Sequence, residues 1–281
     1  MPLCGGMEYI MKNILEAPFM VETVRTLTNL YRLGWDERNG GNLSVLLDEG
    51  EVSEYLDTSK VIRDIPMTFD ASAIVGKIFL VTGTGKYFKN VQYDPAYNLG
   101  IIKIGEDGRT AKLLWGYTDG GRPTSELPAH LLSHITRLAI DPSHRVVMHT
   151  HPTNTIAMTL IHDLSERAMT RTLWQMQTES IVVFPEGVAV LPWMACGTNE
   201  IGEATAKKLE KERICLWAAH GIYGVGKDLD EAFGLIETVE KAAQLYMLSV
   251  NAGIKNGITD EQLKELAGVF GLNYRKDYLD C

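Results

Sequence analysis

Apolar residues at roughly helical spacing, Ile10, Ile14, Phe19, Val21, Val24, Leu27 and Leu30, run from Glu8 to about Leu33 and stop at Gly34, which predicts an N-terminal helical region over about residues 8–34. The pattern then changes period. Leu43 to Leu47 reads as a buried strand after the break Asn39-Gly40-Gly41-Asn42, and Ala73 to Val81 reads as another, closed by Thr82-Gly83-Thr84-Gly85. Asn98 to Ile104 and Ala111 to Tyr117 form a strand pair across the turn Gly105 to Gly108. Between Leu47 and Ala73, the polar stretch Asp48 to Asp70 suits a surface excursion.

Pro123-Thr124-Ser125-Glu126 can start a helix carrying Leu127, Leu131, Ile135 and Leu138, because a hydroxyl can accept from the free N–H groups there. Strands are expected at Arg145 to His151, Ile181 to Val183, Val188 to Leu191 and Ile214 to Trp217, and helices at Asn154 to Ile161 and Thr198 to Glu212. C-terminal helices complete the pattern over about residues 228–269, in two pieces, Asp228 to Asn251 and Thr259 to Val269. Strands and helices alternate with no Pro/Gly/Ser-rich linker and no repeat, so the expectation is α/β, one domain over residues 1–281 with a mixed sheet covered by helices.

Composition narrows the function classes. No apolar run approaches the ~20 residues that cross a bilayer, so no membrane span is expected. Lys and Arg number 27 against 36 Asp and Glu, a net charge of −9 without a basic cluster, which argues against nucleic acid as a partner. The cysteines Cys4, Cys196, Cys215 and Cys281 make no CxxC, and the N-terminus has no basic segment followed by an apolar core. A reducing cytoplasm is the expected location.

His149 and His151 are separated by one residue on a predicted strand, so both imidazoles leave the same face. His220 ends another predicted strand just before Gly221, and three neutral imidazoles with an open fourth position make a catalytic zinc site. An HxH alone is often incidental. A rival ligand set is Glu126, His130 and His134, spaced i, i+4, i+8 on one helix, although His130 and His134 flank the apolar stripe, where core or supporting histidines are common. Glu126 differs in sitting at the loop end of that helix, able to face a cleft. Three loops could hold an anion: Asn39 to Asn42, Thr82 to Gly85, and Thr124-Ser125, although each also reads as an ordinary turn. Gly83-Thr84-Gly85-Lys86 lacks the spacing of a phosphate-binding P-loop, and neither a dinucleotide fingerprint nor a G-x-S-x-G elbow occurs.

Seven strings carry a family resemblance in order along the chain: GWDERNGGNLS from Gly34, VTGTGKYFKNVQ from Val81, PTSELPAH from Pro123, VMHTHPTN from Val147, VVFPEGV from Val182, LPWM from Leu191 and HGIYGVG from His220. Together they resemble the class II aldolases, and within them the rhamnulose-1-phosphate aldolases. The resemblance implies a three-layer α/β/α domain with a largely antiparallel central sheet, a homotetramer, and one Zn²⁺ per subunit on His149, His151 and His220. It further implies Glu126 as the catalytic acid/base toward a small phosphorylated sugar. Asn39, Gly41, Asn42, Thr84, Thr124 and Ser125 would hold the phosphate and neighbouring oxygens, and Glu179 matches a glutamate supplied by an adjacent subunit. Thr150 and Thr84 stand where other members can carry Cys and Ser, and residues through about Met7 have no counterpart. Three other readings remain: a Schiff-base aldolase using Lys86, Lys89 or Lys103, a relative acting on another sugar phosphate, and a non-catalytic domain like the adducin head.

Overall fold

The computed structural model describes residues 11–280. Among the described residues nine strands form one sheet: β1 Asn42–Leu47, β2 Arg63–Pro66, β3 Ile78–Thr82, β4 Leu99–Ile104, β5 Thr110–Gly116, β6 Val146–Thr150, β7 Ala189–Leu191, β8 Ile214–Trp217 and β9 Gly221–Gly226. Their order across the sheet is β2-β5-β4-β3-β1-β6-β9-β8-β7. Every neighbouring pair is antiparallel except β7 with β8, so the sheet is mixed and largely antiparallel as expected.

The helices are α1 Pro18–Arg32, α2 Glu49–Val52, α3 Phe88–Val91, α4 Pro95–Asn98, α5 Leu127–Ile140, α6 Thr153–Ile161, α7 Glu166–Met176, α8 Thr178–Val183, α9 Asn199–Lys208, α10 Leu229–Ser249 and α11 Asp260–Phe270. They cover both faces. On one face, Met148 of β6 and Ile222 of β9 join Leu235, Ile236 and Val239 of α10 in the largest core cluster. On the other, Val147, Tyr223 and Val225 pack with Ala129 of α5 and Ile201 of α9. The alternation of a strand between faces sends odd-numbered residues of β6 toward α5 and even-numbered ones toward α10.

Several expected elements differ. The N-terminal helical region begins, within the described residues, as a 3-10 turn Ile14–Glu16 followed by α1, the break falling at Ala17 and Pro18; residues 8–10 of that expectation lie outside the described residues. Ile181 to Val183 is not a strand but the last turn of α8, with Ile181 buried in the main core. Three consecutive apolar residues carry no period, and here Thr178 and Glu179 supply a first helical turn before them. The excursion from Asp48 to Asp70 contains α2 and the edge strand β2.

The sequence pattern assigns no element to β9, whose three glycines interrupt its apolar residues. Its glycines serve close packing instead. A Cβ on Gly226 would stand 2.6 Å from the Ala232 nitrogen, and one on Gly224 2.9 Å from Ile236 Cγ1, so glycine lets the start of α10 lie directly on the strand. Asp228 fixes that start by accepting from the Glu231 amide at 2.8 Å. No helix among the described residues is long and apolar enough to cross a membrane.

Candidate metal centre

One rung of the sheet forms the floor of the site. Asn42 on β1 pairs with His149 on β6, and His149 pairs with Tyr223 on β9, so three side chains leave one face side by side. Glu126 is set over this rung as the N-cap residue of α5, where its amide donates to Thr124 Oγ1 at 3.2 Å and its side chain makes no cap of its own. His151 lies just past the end of β6. Its amide and the Thr150 hydroxyl both donate to the Trp35 carbonyl, at 2.8 and 2.5 Å, which pins the strand exit.

His220 enters from the turn between β8 and β9. The preceding Ala219 has φ +57°, a left-handed conformation costing a non-glycine residue about 1–2 kcal/mol, and its amide donates to Thr159 Oγ1 at 2.9 Å. That turn brings the His220 ring to 5.0 Å from both the His149 and the His151 ring, the same separation as those two have from each other.

The ring nitrogens are assigned by their partners. His149 Nδ1–H donates to the Ile222 carbonyl at 3.0 Å, and His151 Nδ1–H to Glu37 Oε1 at 2.8 Å. A neutral ring so bonded presents a bare Nε2 lone pair, and these two nitrogens face each other at 3.2 Å. Two lone pairs so placed repel unless a cation sits between them. Adjacent ligands on a tetrahedral zinc with bonds of 2.0–2.1 Å are about 3.3–3.4 Å apart, so the spacing fits that ion. One ligand nitrogen each from His149, His151 and His220 lie within 4.8 Å of one another.

Glu126 closes the cluster, with Oε2 3.6 Å from His149 Nε2 and Oε1 3.8 Å from His220 Nε2. Its Oε2 receives two donors, the Tyr223 hydroxyl at 2.7 Å and Asn42 Nδ2 at 3.0 Å. Burial raises the pKa of this carboxyl, opposed by those two hydrogen bonds. Burial also pushes His149 well below the usual histidine range, with the neighbouring histidines adding to it, and brings His220 down to about 4. Both rings are thus neutral near pH 7, the form in which an imidazole binds a metal.

The chain as a whole is similar to known proteins. The model of the class II aldolase and adducin N-terminal domain family matches residues 21–247. A rhamnulose-1-phosphate aldolase of Listeria monocytogenes is 60% identical over 270 residues, covering 96% of this chain and 99% of the relative. One of Enterococcus faecalis is 54% identical, covering 95% and 96%. Among solved structures, a sugar-phosphate aldolase from Thermotoga maritima superposes with a TM-score of 0.72 at 28% identity, covering 83% of this chain and 95% of its own. The chain belongs to the class II aldolase family. It is an enzyme, an aldolase, and the reading as a non-catalytic domain of this fold falls away.

Within this class II aldolase, the other expected residues divide into two groups. Thr84 and Thr124 come together through their loops: the Thr84 amide donates to the Arg122 carbonyl at 2.9 Å, and the Thr124 amide to the Thr82 carbonyl at 2.9 Å. Thr124 and Ser125 line a cleft with Arg122 and Gly197. Asn39 is exposed on the turn after Arg38. Gly41 and Asn42, however, already have partners. The Gly41 amide donates to Asp36 Oδ1 at 2.6 Å, and the Asn42 amide holds Glu126. Glu179 is exposed on the first turn of α8.

The rival ligand set on α5 does not assemble around a common point. His130 bonds Asn42 and Ser44, and His134 bonds Ser44, both rings being fully buried. The lysines of the Schiff-base reading also have partners elsewhere: Lys86 pairs with Asp119 at 2.5 Å and lies over the Tyr97 ring, Lys103 pairs with Glu49 at 2.7 Å, and Lys89 lies over Tyr87. Sequence patterning missed Tyr223, Glu37 and Cys196. Cys196 offers a sulfur within 4.8 Å of a Glu126 oxygen and a His220 nitrogen. Only the register of β9 against β6 could have singled out Tyr223, and β9 itself was hidden by its glycines.

Proposed function

We propose that this enzyme cleaves L-rhamnulose 1-phosphate reversibly to dihydroxyacetone phosphate and L-lactaldehyde, with one Zn²⁺ per subunit held by His149, His151 and His220. The observation that carries the reading is the convergence of His149, His151 and His220 ring nitrogens, with the first two Nε2 atoms 3.2 Å apart, beside the buried Glu126 carboxyl. The substrate follows from the names of relatives 60% and 54% identical over nearly the whole chain. When bound, the zinc supplies Lewis-acid polarisation of the ketose carbonyl.

The chain's own residues supply the rest. Glu126 moves the proton at C3 of dihydroxyacetone phosphate, and its raised pKa brings the carboxyl nearer to neutrality, where a group can both take and return a proton. Because Tyr223 and Asn42 both donate to Oε2, Oε1 is the oxygen free for that transfer. Asn39, Thr84, Thr124 and Ser125 are assigned to the phosphate, converting remote binding energy into orientation of the reacting carbons. Gly41 contributes there through its lack of a side chain: a Cβ would stand 2.8 Å from Asp36 Oδ1 and 3.1 Å from the His149 carbonyl oxygen. Glu179, exposed on its own subunit, is assigned to the aldehyde end of a neighbour's site in a homotetramer, and the enzyme to the cytoplasm.

The deciding experiment incubates the protein with L-rhamnulose 1-phosphate and follows release of dihydroxyacetone phosphate. EDTA should abolish release and added zinc restore it. A panel with other ketose phosphates should show L-rhamnulose 1-phosphate as the best substrate; faster cleavage of another member of the panel would reassign the sugar. Activity that survives chelation and is trapped by borohydride would reject the metal mechanism.

A further inference from the structure

Two histidines on α5, His130 and His134, are fully buried, yet no ligand role falls to them. Burying a polar ring costs roughly 1–3 kcal/mol unless its nitrogens are bonded, so a leucine or phenylalanine would be the less costly core residue. Their bonds run to the active site. His130 Nε2 lies 2.5 Å from Asn42 Oδ1, His130 Nδ1 lies 2.8 Å from Ser44 Oγ, and Ser44 Oγ lies 2.9 Å from His134 Nε2. Asn42 is the residue whose amide holds Glu126.

Only one placement of protons satisfies this series. A carboxylate oxygen accepts, so Asn42 must turn its NH₂ to Glu126 and its carbonyl to His130. That carbonyl requires His130 Nε2 to carry a proton. Burial pushes both histidines down to about 3, so each ring is neutral with a single N–H. His130 Nδ1 is therefore bare and accepts the Ser44 hydroxyl proton. The Ser44 oxygen then accepts from His134 Nε2–H, which leaves His134 Nδ1 bare at the end. That atom is indeed buried without a hydrogen-bond partner. An unpartnered acceptor at the terminus is what a series of donors all pointing toward Glu126 must leave behind. The opposite direction would set the Asn42 carbonyl oxygen against the carboxylate at 3.0 Å.

We propose that Asn42, His130, Ser44 and His134 form a one-directional chain of hydrogen bonds that locks the Asn42 amide onto Oε2 of Glu126, making His130 and His134 positioning residues for that carboxylate. The assignment rests on Glu126 as the acid/base. The sheet register makes the chain possible, since Asn42 and Ser44 are successive residues of β1 on the face toward α5. Without the lock, the Asn42 amide is free to turn over, and the carboxylate loses a fixed partner on the oxygen that must stay out of proton transfer.

The test uses the full-length, zinc-loaded enzyme. ¹⁵N imidazole NMR should find His130 and His134 both neutral and protonated on Nε2; an Nδ1–H form of either ring overturns the chain. His130→Phe should lower kcat about 10- to 100-fold, the range for removing an outer partner of a metal site, with KM and zinc content unchanged. His130→Gln keeps an N–H donor at the position of Nε2 and should recover most of the loss. Equal kcat in the two variants at full zinc occupancy overturns the proposal. Should His130→Phe fail to fold, Ser44→Ala frees the His130 tautomer and should lower kcat with a mixed ring spectrum, whereas an unchanged spectrum and kcat reject the chain. Glu126→Gln separates the two levels: an active Glu126→Gln enzyme removes the acid/base assignment, while an inactive one with the wrong tautomers elsewhere removes the chain alone.

Discussion

Tyr223 donates its hydroxyl to Oε2 of Glu126 at 2.7 Å while its ring stacks on His149, 4.4 Å between centroids and 20° between planes. One side chain thus braces both the carboxylate and a metal-type histidine, from a strand adjacent to the one that bears the histidine. Tyr223→Phe keeps the stacking and deletes the donor. A hydrogen bond to a charged group is worth about 1.5–3 kcal/mol, so kcat should fall roughly 10- to 100-fold. The sign for pH follows from the same bond. It favours the ionised carboxylate and holds the pKa of Glu126 down against burial. Its loss raises that pKa, so the acid limb of the pH–rate profile should move to higher pH. An unmoved limb would mean the hydroxyl does not hold the carboxylate.

Gly221 opens β9 beneath the histidine cluster. A Cβ there would meet the Thr150 carbonyl oxygen at 2.6 Å, His149 Cε1 at 2.8 Å and His151 Cδ2 at 2.8 Å. Gly221→Ala must therefore displace two of the three imidazoles together. Zinc affinity, measured by titration of the apo-protein, should weaken about 10- to 100-fold or more, as for other losses of ligand support. Gly234→Ala is the control. That glycine lies in α10 with nothing within 4 Å of its Cβ position, and the change should raise stability by about 0.5–1 kcal/mol without touching zinc.

What the sequence discloses about this enzyme depends on how far apart the informative residues lie. His149 and His151 declare themselves through strand alternation, and Glu126 through its place at a helix start; both signals are local. Convergence of His220 with them depends on a hairpin turn held by the left-handed Ala219, which no periodicity encodes. Tyr223 and Asn42 join the site only through the registers of β9 and β1 against β6, and register is a tertiary property. The α5 histidines looked like core residues and are buried as such. Their link to Ser44 and Asn42 spans more than 80 residues of sequence, beyond the reach of any motif. At Ile181 to Val183, three apolar residues read as a strand although they carry no period, and the preceding turn Thr178-Glu179 makes them helix instead.

Cys196 is exposed and free, with its sulfur at the mouth of the site close to Glu126 and His220. The other free cysteine within the described residues, Cys215, is buried, and burial pushes its thiol well up, so it is unreactive at neutral pH. Iodoacetamide should therefore inactivate the enzyme through Cys196, by placing an amide group where substrate must enter. Mass spectrometry should find that residue labelled in step with activity loss. Cys196→Ser should remain active and resist the reagent; inactivation of that variant at the wild-type rate would remove Cys196 from the site's mouth.

Glu212 offers a test of stability remote from the metal. It is 2% exposed, and burial together with the nearby Glu166 charge raises its pKa from 4.5 to about 7, although Arg275 approaches to 3.0 Å. A carboxyl whose pKa rises on folding is one the fold prefers protonated. Its favourable contribution is therefore complete below about pH 4.5 and is lost as pH climbs through about 7. Glu212→Gln fixes the neutral state. The variant should melt at a higher temperature than wild type at pH 8, and the difference should shrink toward pH 5, where the wild-type acid is itself neutral. Arg275 keeps a second partner in Asp277 at 2.9 Å, so the substitution leaves no stranded cation. A variant that melts lower than wild type at pH 8 would instead mean that attraction to Arg275 outweighs the cost of burying the charge.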